Sequence, residues 1–346
     1  MLAWLDKHQV TLYLLAIACG IAGGLLPVLP DVVEPVVLPA LALLLWATFS
    51  SIPLVSQAKT QNIAKEEYKT RGYFTGWILA GNFLLVPAIV ALLLWLTPIQ
   101  SELRFAAALV LLAPCIDYVI VFTGIAGGAA SQLLRNTPLL LLIQAVAVPV
   151  YLWAFRALGL WDVPGLSLEA LYASAVPIGV ALAVIVIPLC VAWVAQKTGG
   201  AVARRNQGLS EATMVPLMIL VLFSTVAANF GAVAPHAHAL LPLAGTYTLF
   251  ALIAGLTSFI LIGKTVQQSI LTEPQRTALT FSTVTRNALV VLPIGIALAR
   301  VSSQSLMPIA IMTQTLVELL VMMAMVYLFK RIKTTDQQEH IHTAST

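Results

Sequence analysis

The chain has 346 residues, 60% of them hydrophobic and only 9% charged, with a mean hydropathy of +0.96. A soluble domain covers itself with about 25% charged residues, so this composition excludes a water-soluble globule and makes a polytopic membrane protein the expected class. The net charge of +4 does not indicate a nucleic-acid partner, because the placement of the basic residues follows a membrane topology.

Apolar runs of the roughly 17–25 residues that a bilayer demands recur along the whole chain. They cover 9–28, 33–55, 73–96, 103–124, 138–157, 171–195, 213–231, 240–262, 277–299 and 306–329, ten expected transmembrane helices. The first run follows Asp6 and Lys7 and superficially resembles a signal peptide, and Ala16-Ile17-Ala18-Cys19 resembles a lipoprotein cleavage site. With nine further spans behind it, a first transmembrane helix is the reading adopted. Of 18 Lys and Arg residues, 14 fall on one side of the ten-span arrangement and three (Arg104, Arg156, Arg300) on the other, with Arg286 inside a span. Basic loops mark the cytoplasmic side, so both termini are expected in the cytoplasm, with the chain in the cell (plasma or inner) membrane. Residues 334–346 read as a polar cytoplasmic tail.

Cys19, Cys115 and Cys190 lie within spans and lack CxxC spacing, so neither a disulfide framework nor a zinc cluster is expected. Cys19 and Cys190 read as buried apolar thiols. His236 and His238, between spans seven and eight, and His340 and His342, in the tail, read as solvated loop residues. The sequence holds no phosphate-cradling glycine motif and no visible nucleophile–base–acid set, so neither an enzyme nor a cofactor is expected.

The two halves look related. Span five carries Pro138-Leu-Leu-Leu-Leu-Ile-Gln144 and span ten carries Pro308-Ile-Ala-Ile-Met-Thr-Gln314, with Pro and Gln six apart in each. The same offset of 170 sets Asp117 opposite Asn287, and Leu38-Pro39 in span two matches Val215-Pro216 in span seven. Five spans per repeat is an odd number, so the second copy must sit upside down. Residues 1–160 and 161–333 then form two inverted five-helix repeats of an all-α membrane fold, an arrangement typical of secondary transporters with their solute site near mid-depth.

Charge inside the spans marks that site. Asp117 and Arg286 occupy spans four and nine, and an ionisable side chain in hydrocarbon costs at least ~2.5 kcal/mol unless it is paired or wetted. Their functional reading is a solute or coupling-ion site; the alternative is a permanent ion pair locking two helices. Pro114 and the run Thr280-Phe281-Ser282-Thr283-Val284-Thr285 are poor helix, since proline removes a donor and hydroxyls compete for backbone groups. Spans four and nine are therefore expected to be broken and to meet in the core, where freed backbone can hold an ion or ligand. Glu318, four residues after Gln314 and on the same helical face, is a further acid, with proton coupling and a helix–helix hydrogen bond as its alternatives. Gln144 and Gln314 suit either the site or interhelical bonding, and Asn82 in span three reads as core polar packing, with approach to the site as its alternative. Cys115, beside a helix-breaking proline, could hold a soft, thiophilic solute weakly, or fill space.

Ala113-Pro114-Cys115-Ile116-Asp117-Tyr118-Val119 resembles the fourth-span cysteine motif of the arsenite permeases (arsenic resistance proteins), and Phe281-Ser-Thr-Val-Thr-Arg-Asn287 is similar to their Phe-Thr-Ala-Ala-Ser-Asn-Asn stretch. The wider superfamily is that of the bile acid:sodium symporters, whose layout resembles the whole chain. The resemblance implies ten spans with crossed, broken spans four and nine. It also implies a core domain of spans three to five and eight to ten, and a panel domain of spans one, two, six and seven. There are departures. Pro114 stands where the permeases have arginine, and Leu289 lies where they have glutamate. The sodium-coupled relatives carry glutamate and glutamine where Thr283 and Asn287 stand, and asparagine where Asp117 stands. Without those acids and with Arg286, coupling to H⁺ is expected in place of Na⁺. The expected solute set is Cys115, Arg286, Asn287 and Thr283, supported by Pro114, Gln144, Gln314 and Thr285, with Asp117 and Glu318 moving the proton. The cargo expected is arsenite, antimonite or arsenate, exchanged for H⁺ across the lipid bilayer, and the alternative is a small organic anion forked by Arg286.

Overall fold

The computed structural model describes residues 2–51, 65–115, 118–162, 175–233, 237–268, 270–302 and 306–344. Every regular element among them is a helix, the form that satisfies its own backbone where no water can. In chain order these are α1 (Leu2–Gly24), α2 (Leu29–Ser51), α3 (Lys65–Ala80), a π-helical turn (Gly81–Leu85) and α4 (Val86–Leu96). Then come α5 (Ser101–Leu111), α6 (Tyr118–Ile125), α7 (Ala130–Ala157), α8 (Ala175–Thr198) and α9 (Gly200–Val233). The last are α10 (Ala237–Gln267), α11 (Glu273–Val284), α12 (Ala288–Ser302) and α13 (Met307–Ala344).

Among the described residues, six helical stretches are long and apolar enough to cross a membrane: Leu29–Ser51, Arg71–Leu96, Ala130–Ala157, Gly200–Ala228, Leu240–Gln267 and Met307–Arg331. Three shorter apolar helices, Thr11–Gly24, Leu182–Thr198 and Val290–Ala299, fall in the expected spans one, six and nine. The chain is thus a multi-pass membrane protein by the length and composition of its helices. Large apolar side chains such as Trp95, Leu142, Trp153 and Leu241 stand exposed on its outside, as a lipid-facing surface requires.

Several boundaries differ from the sequence expectation because helices continue past their apolar cores into the water-facing zone. Helix α7 begins at Ala130, so Pro138 lies inside it and not near its start. Helix α13 runs on through the expected tail to Ala344, carrying the backbone of His340 and His342 with it. His238 lies in the first turn of α10 and is exposed, while His236 is outside the described residues. Cys19 and Cys190, expected to be buried, are exposed. In a membrane protein the outer face is itself apolar, so a thiol reaches an apolar setting without burial.

Helices α1, α2, α8 and α9 pack against one another, as do α10, α11 and α13, with α12 against α13 and α5 against α13. Close approach of α1 to α9 rests on small residues one turn apart. A Cβ on Gly20 would lie 2.9 Å from Val226 Cβ, and one on Gly24 2.6 Å from Phe230 Cβ.

Candidate functional site

Two segments of the bundle are interrupted in the middle. Helix α5 stops at Leu111 and α6 starts at Tyr118; α11 stops at Val284 and α12 starts at Ala288. Thr285 is extended, with φ −83° and ψ 139°. The two unwound stretches run antiparallel, with Pro114 directly opposite Arg286. The Cys115 N–H donates to Thr285 O (3.3 Å) and the Asn287 N–H to Ala113 O (2.7 Å). These bonds flank the Pro114–Arg286 pair, so the N–H and C=O positions of that pair point out of the ladder. Proline can sit there because no ladder bond needs its missing N–H. Arg286 turns its own N–H outward to Glu318 Oε2 on α13 (2.9 Å).

The Arg286 side chain is fully buried. Its Nη2 donates to Ser282 O (2.7 Å), Thr283 O (2.7 Å) and Asn82 Oδ1 (2.9 Å), and its Nη1 to Leu111 O (3.4 Å). Three of these four acceptors are last-turn carbonyls of α11 and α5, and Cζ lies 5.6 Å from the centre of the Phe250 ring. A helix C-terminus carries roughly half a negative charge, so two of them together offset about one cation. The guanidinium is therefore held by the ends of the two half-helices that meet at the crossing.

For Asn82 core polar packing was the favoured expectation and approach to the site the alternative, and the structure brings it onto the guanidinium. It sits in the π-helical turn, where the widened helix pushes its side chain inward; such turns recur at functional sites. Its Nδ2 donates to Ile78 O and to Ser282 Oγ, both at 3.0 Å, which leaves Oδ1 to accept from Arg286. The turn's free carbonyl, Phe83 O, receives the Tyr151 hydroxyl of α7. A Cβ on Gly81 would lie 2.6 Å from Thr283 Cγ2, so glycine sets how closely α11 approaches. Nothing in periodicity marks Tyr151 or Ser282 as parts of the site; a lone Asn after Gly in an apolar span was the available signal for Asn82.

Glu318 is 3% exposed, and its Oε2 also receives Gln314 Nε2 from one turn earlier. Gln314 Oε1 is buried without a hydrogen-bond partner among the described residues. Both line a cavity of ≈ 10 Å³ between Leu111, Val284 and, on α10, Tyr247 and Phe250, room for about one water molecule. The Tyr247 hydroxyl donates to Ala310 O (3.0 Å).

The other expected site residues divide. The Thr283 hydroxyl bonds back to Leu279 O and Thr280 O, and the Thr285 hydroxyl to Phe281 O, so both serve their own helix. Asn287 caps α12 by accepting the Val290 N–H at Oδ1 (3.1 Å); its Nδ2 is buried without a partner among the described residues. Cys115 is 1% exposed, beside Thr285 at the crossing. Gln144, on α7, is buried with no partner for Oε1 among the described residues. Asp117 lies outside the described residues, and with it the expected pairing to Arg286. Among the described residues no cluster of His, Cys, Asp or Glu could hold a metal ion. No protein-family model matches the chain, and no curated protein matches it.

Proposed function

We propose that this chain is a secondary transporter with the layout of the bile acid:sodium symporters: ten spans in two inverted repeats, with a panel of spans one, two, six and seven beside a core. The observation that carries the reading is the antiparallel pairing of two interrupted helices at the buried centre, with a fixed cation inside it. Cys115 and Thr285 are related by the repeat offset of 170, and they are hydrogen-bonded to each other at that point. An inverted repeat requires equivalent residues to meet on its axis, so this contact supports the duplication. Unwound backbone at mid-depth belongs where a solute or ion is handled.

The lodged guanidinium favours protons over sodium. Carbonyls at two helix ends form a cradle for a cation, and Arg286 fills it with a charge that cannot leave or titrate. The movable charge is then a proton, on Asp117 or Glu318. The cargo proposed is arsenite or a related metalloid oxyanion, contacted by the Cys115 thiol. Expression in cells lacking their own efflux system should confer arsenite tolerance, and Cys115→Ser should abolish it at equal protein level. Tolerance that survives Cys115→Ser removes the thiol from the mechanism. In inverted vesicles, uptake should follow an imposed pH gradient and be unchanged when K⁺ replaces Na⁺; a strict Na⁺ requirement overturns the account of Arg286.

A second reading, a carrier of a small organic anion, has one observation in its favour: the buried, unpartnered Asn287 Nδ2 beside the N-terminus of α12. In that reading the anion meets Asn287 and the helix N-terminus. Arg286 is the less suitable fork, since its Nη atoms already bond four oxygens.

A further inference from the structure

We infer that Glu318 is a proton-operated latch on the interrupted segment of span nine: as a carboxylate it holds the outward N–H of Arg286, and on taking up a proton it lets that segment go. The inference rests on the proton-coupled reading and gives it a moving part. The amides of Arg286 and Asn287 have lost the i to i−4 bonds of a helix and need other acceptors. Thr285 N–H keeps Phe281 O and Asn287 N–H has Ala113 O, while Arg286 N–H goes to a titratable side chain on another helix. The state of one carboxyl is thereby tied to the joint between α11 and α12.

The chemistry of the change is local. In the ionised state Oε2 receives two N–H donors, from Arg286 and Gln314, and bonds to a charged acceptor are roughly twice as strong as neutral ones. A proton from the adjoining cavity forms an O–H on Glu318 and converts both to neutral bonds. The new O–H needs an acceptor in a buried place, and Gln314 Oε1, unpartnered among the described residues, supplies it once the amide turns about its own axis. That exchange stays within α13, so in the protonated state Glu318 holds the span-nine segment by a neutral bond from the Arg286 N–H in place of a charged one. Among the described residues, Arg286 on span nine bonds this carboxyl through its amide, and Tyr247 on α10 lines the same cavity. The cavity walls from Leu111, Phe250, Ala251 and Val284 are apolar.

Amide hydrogen exchange of the full-length protein in detergent, followed by mass spectrometry on peptides spanning 281–290, reads the latch directly and needs no substrate. After correction for the intrinsic pH dependence of exchange, protection in the wild type should fall about tenfold as Glu318 is protonated. Glu318→Gln should exchange at the faster rate at all pH values, and Glu318→Asp should keep a pH-dependent step. A wild-type segment with pH-independent protection overturns the inference whether or not any variant folds, as does Glu318→Gln exchanging like the wild type at high pH. A chain that fails to transport arsenite yet shows the exchange step removes the proposed cargo and keeps the latch; transport without the step does the reverse.

Discussion

The two interruptions at the crossing pair with each other through their backbones and have different causes. In span four the break contains Pro114, which lacks a donor, and it occupies the one place in the pairing where none is needed. In span nine the break at residues 285–287 contains no proline. It is held open by side chains: the Arg286 fork on two helix ends, the Asn287 cap on α12, and Glu318 on the Arg286 amide. One break is written into the local chain, and the other is maintained by tertiary contacts. Span nine should therefore be the fragile and adjustable partner, and span four the fixed one against which it works.

Removing the guanidinium is the strongest way to break this comparison. Arg286→Met leaves the last-turn carbonyls of α5 and α11 and Asn82 Oδ1 without their donor in a buried place. Loss of one partner from a buried charged network costs about 3–5 kcal/mol, so the variant should unfold far earlier in a detergent thermal melt. Arg286→Lys keeps the charge but loses the fork and should fall between the two. A melt unchanged in Arg286→Met would mean that span nine holds its break without the cradle.

The approach of α11 to the π-helical turn gives an intermediate effect. Gly81→Ala sets a methyl 2.6 Å from Thr283 Cγ2, an overpacking of about 1–3 kcal/mol. Thr283→Ser removes that Cγ2 and keeps the hydroxyl, so the double variant should regain most of the loss. A double variant as unstable as Gly81→Ala alone would locate the strain elsewhere, away from the surface that presents Asn82 to Arg286.

These contacts also separate what was legible in the sequence from what was not. The membrane class follows from composition, and the interrupted helices were foreseeable from Pro114 and from the hydroxyl run before Arg286. The direction of the Arg286 side chain was not foreseeable. Carbonyl oxygens at helix ends belong to every residue type and leave no mark in a sequence, so they could not be read as its acceptors. The partner of Asn82 was not legible for the same reason: its contact with Arg286 depends on a π-turn, an extra residue in a helix that hydropathy cannot register. Thr283 reads as a solute ligand and Thr285 as its support, and the acceptor that each hydroxyl has one turn back in its own helix is not marked in the sequence. Helix ends were misjudged wherever good helix formers follow the apolar run, as after Lys330.

The smallest expected effect completes the comparison. Pro114→Ala restores rotational freedom to the unfolded chain and adds one N–H directed away from the pairing. Together these should cost about 1 kcal/mol, far less than Arg286→Met. The interruption itself should persist, because Cys115 N–H to Thr285 O and Asn287 N–H to Ala113 O do not involve residue 114. Slow exchange of the Cys115 and Asn287 amides in the variant would show the pairing intact. Fast exchange at both would mean that the missing donor, and not the ladder across the crossing, keeps span four from closing into a continuous helix; the span-four half would then be as dependent on one residue as the span-nine half is on Arg286.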